Sequence, residues 1–368
     1  MLLSLVVFVL VLGILVFVHE LGHFIVAKWS GMRVDEFSLG YPPRIFKKEV
    51  GETLYAIGAI PLGGYVRIHG ENPESRDNDP DSFQAKPVGK RILVIIAGVI
   101  MNLLLAFTIL SVAYSVGFVS ASQDLTAIAG SVVKDRQVFA GDVLKDSPAA
   151  KAHVEVGDQL IAIDRPNVWP TPTRITSTDA LISTTKQLQS EGISDVTLTV
   201  RRNNADKVLP ISISKTGPAL GIDLAAYNLV RLPVWKAPGA AVHEIGFIIS
   251  STWDALTGFV KTLFIHGKLD SAVSGPIGIY QATASAAHSG IVPVVFLLVV
   301  LSINLALLNI LPFPPLDGGK LLFLVLEAVF RRRVVAEHWE NIITMAGFLI
   351  LMVLIVLITG QDLLRLIK

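Results

Sequence analysis

Four stretches of this chain are apolar for about the length of a bilayer's hydrocarbon core, and nothing else in it constrains the fold as much. Leu2 to Val18 is unbroken, with apolar character resuming from Phe24 to Ala27; Ile92 to Val119, Ile291 to Leu311 and Ile342 to Thr359 follow. Roughly 20 residues of helix cross a 30 Å core. Hydrophobic residues make up 52% of the 368 and charged residues 17%, against about a quarter charged in a soluble domain. A net charge of +1 lacks the basic excess of a nucleic-acid binder, so no nucleic-acid partner is expected. A secretory signal would open on basic residues and close on a small-residue cleavage site. Met1-Leu2-Leu3-Ser4 has no basic residue and His19-Glu20 interrupts the run, so a retained span is expected.

The loops set an orientation. Lys28, Arg33, Arg44, Lys47, Lys48, Arg67, Arg76, Lys86, Lys90 and Arg91 lie between the first two spans, and Lys320 with Arg331-Arg332-Arg333 between the last two. By the positive-inside rule both loops are cytoplasmic. The N-terminus, residues 120 to 290 and the C-terminal tail are then expected on the other face of a plasma (inner) membrane.

The expected fold is a polytopic α-helical membrane protein carrying two β elements. Arg44 to Val50 and Glu52 to Ile60, followed by Pro61-Leu62-Gly63-Gly64-Tyr65, suggest one or two membrane-associated hairpins within residues 1–119. Residues 126–216 read as a separate α+β domain, with strand-like runs at Ala127–Ser131, Gln159–Ile163, Val196–Val200 and Val208–Ile213 and a capped helix from Thr178 to Gln189. Ser147-Pro148-Ala149-Ala150-Lys151-Ala152 and then Val156-Gly157-Asp158 to Asp164 resemble the core signature of PDZ domains, with Ala152-His153-Val154 where many have Ala-Gly-Leu. Peptide C-termini are therefore candidate partners. Residues 233–265 read as an amphipathic interfacial helix, and 291–368 hold the last two spans.

The chemistry is concentrated in His19-Glu20-Leu21-Gly22-His23. On a helix, residues four apart share a face, so both imidazoles reach one metal ion, and Glu20 stands where it can act as base on a metal-bound water. Ionisable side chains inside a span cost roughly 2.5–3.5 kcal/mol each, which makes them functional by default. From His19 to Lys28 is nine residues, about 13 Å of helix, so the motif lies in the bilayer toward its cytoplasmic face. With no cysteine, the metal must be held by His, Asp or Glu. A catalytic zinc takes three protein ligands and leaves one position open. Asp317, in Asn309-Ile310-Leu311-Pro312-Phe313-Pro314-Pro315-Leu316-Asp317-Gly318-Gly319, is the best third candidate; an N-cap role there is compatible with ligation. His243-Glu244-Ile245-Gly246-Phe247 starts like a second motif but has Phe247 in place of the second His.

A His-Glu-x-x-His in the first span, Leu-Asp-Gly after the third and a PDZ-like domain between the second and third are similar, in this order, to the site-two proteases of the bacterial RseP type in their single-PDZ form. The resemblance implies Zn²⁺ held by His19, His23 and Asp317 with Glu20 as base. It implies that Asn309 lines the active site, that Pro312 and Pro314 match the family's prolines, and that Gly63 and Gly64 lie in a membrane-reentrant β-loop. It implies single-span membrane proteins as substrates, in regulated intramembrane proteolysis of anti-sigma-factor-like proteins or in clearing signal-peptide remnants; the alternative is general membrane-protein quality control. A protease with its zinc outside the hydrocarbon, a metal transporter and a pseudoenzyme binding through its PDZ are the rival readings.

Overall fold

The computed structural model describes residues 2–367 apart from 72–78, 123–124, 126–131, 167, 203–204, 215–216 and 267–274. The expected strand at Ala127–Ser131 and most of the polar stretch after Glu71 lie outside the described residues. In chain order the elements are α1 (Leu2–Trp29), β1 (Val34–Val50), β2 (Thr53–Ile68), α2 (Val88–Val116), β3 (Phe118–Ser120), β4 (Val132–Val143), α3 (Pro148–Lys151), β5 (Gln159–Asp164), β6 (Thr173–Arg174) and α4 (Thr178–Ser190). There follow β7 (Asp195–Arg202), β8 (Ala205–Ser212), β9 (Ile222–Arg231), α5 (Ala237–His266), α6 (Pro276–Ser289), α7 (Ile291–Asn309), α8 (Asp317–Phe330) and α9 (Glu337–Ile367). Two compact units result: Met1–Thr108, Ile245–Ala284 and Leu297–Lys368 form the first, and Ile109–Glu244 with Ser285–Phe296 the second.

Among the described residues α1, α2, α7 and α9 are long and apolar enough to cross a membrane. Their ends differ from the sequence reading for local reasons. α2 stops at Val116 because Gly117 takes φ +108, a conformation glycine adopts without steric cost, and Phe118–Ser120 becomes strand β3 instead of span. Asn309 ends α7 three residues before Pro312, since a residue preceding proline is pushed out of the helical region. α9 begins at Glu337, five residues ahead of the expected Ile342.

β1 and β2 fold back on each other: Arg44–Val50 pairs with Thr53–Gly58 around a turn, while Glu36–Leu39 lies between two segments of β2, registered with Leu54–Ile57 and with Gly64–Arg67. Gly51, at φ +63, makes the tight turn. The strands are pinned at Glu36, which is buried and accepts two hydrogen bonds from Arg44 at 2.8 Å, one from the Tyr65 hydroxyl at 2.8 Å and one from Arg67. A buried carboxylate is tolerated only when so paired. The base of the hairpin packs Val34 and Ile68 against Ala27, Val94 and Leu324, which fixes it to α1, α2 and α8. α5 lies against α7 through a 2.8 Å hydrogen bond from Thr252 to Asn304.

The second unit is built on a sheet of order β3-β9-β4-β5-β7-β8, with β6 added beside β5. Val138, Leu160, Leu181, Leu198 and Ile211 fill its core. Ser147 caps α3 and Ser177 caps α4 through their hydroxyls, as small polar residues do at helix starts. The sheet does not end at residue 216. β9 pairs with β4 along ten positions and with β3 on its other side. The Gly217-Pro218 break before it and its central Ala225-Ala226 hide it from pattern reading.

Candidate metal centre

α1 carries His19, Glu20 and His23 on successive turns, and both imidazoles are buried. α8 delivers the third group. The residue at the cap position of α8 is Leu316, which makes no side-chain cap bond, and Asp317 is the first helical residue. Its carboxylate is therefore not consumed in capping, while the helix dipole still favours negative charge there. Asp317 Oδ2 stands 3.1 Å from His19 Nε2 and 3.4 Å from His23 Nε2, and the two Nε2 atoms are 3.2 Å apart. His19, His23 and Asp317 are the metal-competent group found among the described residues.

These distances fit zinc. A tetrahedral zinc with bonds of about 2.0–2.1 Å holds its ligand atoms roughly 3.3 Å apart, and the three here are separated by 3.1, 3.2 and 3.4 Å. The tautomer of His23 agrees as well. Its Nδ1–H donates to the Val94 carbonyl at 2.8 Å; a carbonyl only accepts, so Nδ1 carries a proton and Nε2 is the ring atom able to offer a lone pair to a metal.

Close backbone approach makes the cluster possible. A Cβ on Gly22 would come within 2.5 Å of the Ala97 carbonyl oxygen, so glycine lets α1 meet α2. One on Gly98 would overlap His23 Nε2 and come within 2.7 Å of His19 Cε1. On the other side, Gly64 brings β2 against α1: its Cβ would meet Val16 at 2.8 Å and the Glu20 Cγ at 3.4 Å. Gly63 faces the Tyr41 ring. Tyr41 stacks on Tyr65 with centroids 6.3 Å apart, and burial first, then the Glu20 carboxylate, raise its phenol above the usual range.

The α7–α8 turn is held from behind. Gly318 lies against the Ile310 and Leu311 carbonyls, and Gly319 and Gly347 against Pro314, at separations a Cβ would not allow. Asn309 places its side-chain amide 3.3 Å from His19 Nε2, at the rim of the cluster. The contacts at Pro314 are thus with supporting glycines, and Pro312 is exposed on the turn. α8 is anchored further along by Lys320 on Glu71 at 2.6 Å and by Arg91, buried, on Glu327 at 2.5 Å. Sequence reasoning missed Val94, Gly98 and Asn102, which face the two histidines from α2. A polar Asn inside an apolar span was the available signal.

The family profile described as Peptidase family M50 matches residues 7–354. The chain belongs to this family, that of the site-two proteases. A Fusobacterium nucleatum protein bearing the name "putative zinc metalloprotease" is 33% identical to this M50 peptidase over 361 residues, covering 96% of each chain. A Nostoc protein of the same description is 35% identical over 328 residues, covering 87% of this chain and 85% of its own. Zinc metalloprotease RasP of Oceanobacillus iheyensis is 28% identical over 458 residues, covering 99% of each. This M50 peptidase is accordingly a membrane zinc metalloendopeptidase.

Proposed function

We propose that this peptidase cuts single-span membrane proteins within or near the bilayer, with His19, His23 and Asp317 holding its zinc and Glu20 moving the proton. One observation carries the assignment: three atoms able to offer lone pairs, from α1 and α8, converge at tetrahedral-edge distances inside an apolar helix cluster, the spacing that a single bound zinc requires. The bound zinc supplies a Lewis acid for the scissile carbonyl. Glu20, beside the cluster, takes a proton from the attacking water and returns it to the leaving amine. Asn309, at the rim, orients the scissile peptide by hydrogen bonding. The apolar helices exclude bulk water, which strengthens each of these interactions.

A substrate helix hides its backbone in its own hydrogen bonds and must unwind before it is cut. The Gly64–Arg67 end of β2 is registered with a single segment, Glu36–Leu39, so its other side offers an edge on which an opened segment adds as a strand, and Gly64 sets that strand against Glu20. Charge asymmetry supports a cytoplasmic hairpin and α8, with the second unit on the opposite face as a PDZ-type domain for peptide C-termini. The Ser-Pro-Ala-Ala turn before β5 supports that assignment. The test is Glu20→Gln against a tagged library of single-span substrates. The variant should keep its zinc, lose turnover and retain uncut substrates, whose identities separate regulated second cuts from clearance of signal-peptide remnants. Appreciable turnover by Glu20→Gln would assign proton transfer to another group.

A further inference from the structure

Asn102 is fully buried in the middle of α2, and its amide is unevenly satisfied. The nitrogen faces His19 Nδ1 at 3.3 Å, while Oδ1 is buried with no hydrogen-bond partner. The residue itself is fixed, since its backbone carbonyl accepts from the Ser302 hydroxyl of α7 at 2.9 Å. The two ends of an amide are distinguished only by the partners they meet, so the chemistry of His19 determines which end belongs against it. His19 Nε2 points into the convergence of Asp317 Oδ2 and His23 Nε2. It must carry a lone pair there, which leaves the ring proton on Nδ1. An N–H cannot face an NH₂. The acceptor available on Asn102 is Oδ1, the atom that lacks a partner.

The same face of α2 already treats His23 in this way. Val94, Gly98 and Asn102 are spaced four apart and so line one stripe. Val94 accepts the Nδ1 proton of His23, and Gly98 leaves the space that both rings occupy. Asn102 completes the stripe opposite His19.

We propose that Asn102 is a positioning residue of the zinc centre: its Oδ1 accepts the Nδ1 proton of His19 and so holds Nε2 free to face the metal. This rests on the ligand set proposed above. Partners that fix a ligating histidine in this manner are worth about 10–100-fold in metal affinity.

The test is zinc affinity by chelator competition, read with the visible spectrum of the cobalt-substituted protein, on detergent-purified full-length chain. N102D keeps an acceptor of the same length and should bind zinc within about threefold of the unaltered protein, with an unchanged cobalt spectrum. N102L, which keeps the bulk, and N102S, whose hydroxyl falls short of the ring, should each bind about 10–100-fold more weakly and alter the cobalt bands. If N102L does not fold, the comparison of N102S with N102D decides between the outcomes. N102D binding as weakly as N102S, or N102S binding as tightly as the unaltered protein, overturns the proposal. Failure of the ligand set reads differently: zinc would then survive in a H19A/H23A double variant whatever stands at 102.

Discussion

A single methyl group at Gly98 should dismantle the zinc centre without touching a ligand. In Gly98→Ala the new carbon would overlap His23 Nε2 and lie 2.7 Å from His19 Cε1 and 2.9 Å from His19 Nδ1. Carbon atoms rest comfortably at about 3.5–4.0 Å, so relief requires a movement of roughly 1 Å. The rings cannot supply it, because His23 is tied to the Val94 carbonyl of the same helix. Either α2 backs away or the ligand atoms lose their spacing of 3.1 to 3.4 Å. Overpacking of this kind costs about 1–3 kcal/mol of stability, which leaves the protein folded. A displacement of about 1 Å at a reacting centre costs on the order of a hundredfold in rate, and a comparable loss of zinc affinity should accompany it. Zinc per chain by elemental analysis and cleavage of a single-span substrate are the assays. Gly13→Ala is the control, since a Cβ on Gly13, also helical, would meet nothing within 4 Å; zinc and turnover should be unchanged there. Gly98→Ala retaining full zinc and full turnover would refute the tight cradle described for α2.

The remaining predictions are more direct. The double variant His19→Ala/His23→Ala should purify without zinc, where the unaltered chain carries about one ion per molecule as a three-ligand catalytic site requires; near-stoichiometric metal in the variant removes the ligand assignment. The chain has no cysteine, so single cysteines report topology cleanly. Cysteines replacing the exposed Asp81 and Arg332 should escape an impermeant thiol reagent in intact cells, and one replacing the exposed Lys151 should be labelled; labelling at position 81 would reverse the orientation. Excision of residues 118–231 should let the peptidase cut substrates that still carry an ectodomain, if the second unit acts as a filter. The cut ends suit such an excision, since Leu232 N donates to the Tyr114 carbonyl at 2.8 Å; such substrates staying uncut by a folded variant that still cuts substrates lacking an ectodomain would mean that the second unit does not act as a filter.

Features set by period and length were legible from the residues alone. Apolar runs of bilayer length located α1, α2, α7 and α9, and two histidines four apart on the first of them marked two members of the candidate metal cluster. Features set by a partner across space were not. β9 lies between β3 and β4, and with Ala225-Ala226 at its centre it takes its conformation from those neighbours rather than from its own sequence. The 14-residue α6 is another case. Its N-terminus is stabilised by Asp362 of α9, which accepts from the Gly275 and Gly278 amides at 2.9 and 3.0 Å, a partner more than 80 residues away.

The metal centre divides along the same line. His19, Glu20 and His23 announce themselves because ionisable groups are costly in lipid. The stripe that orients them reads as ordinary span: Val94 contributes only its carbonyl, Gly98 only its lack of a side chain, and Asn102 one amide. None of these carries charge, and a carbonyl or an absent methyl leaves no mark on hydropathy. A search for ligands therefore finds the three candidate residues, whereas their alignment depends on a helix face on which Asn102 is the one side chain that sequence pattern could mark. If that face matters as the distances imply, substitutions on it should weaken zinc binding about 10–100-fold in a chain whose His-Glu-x-x-His and Leu-Asp-Gly motifs are intact, and motif integrity alone would then overstate activity in such a variant.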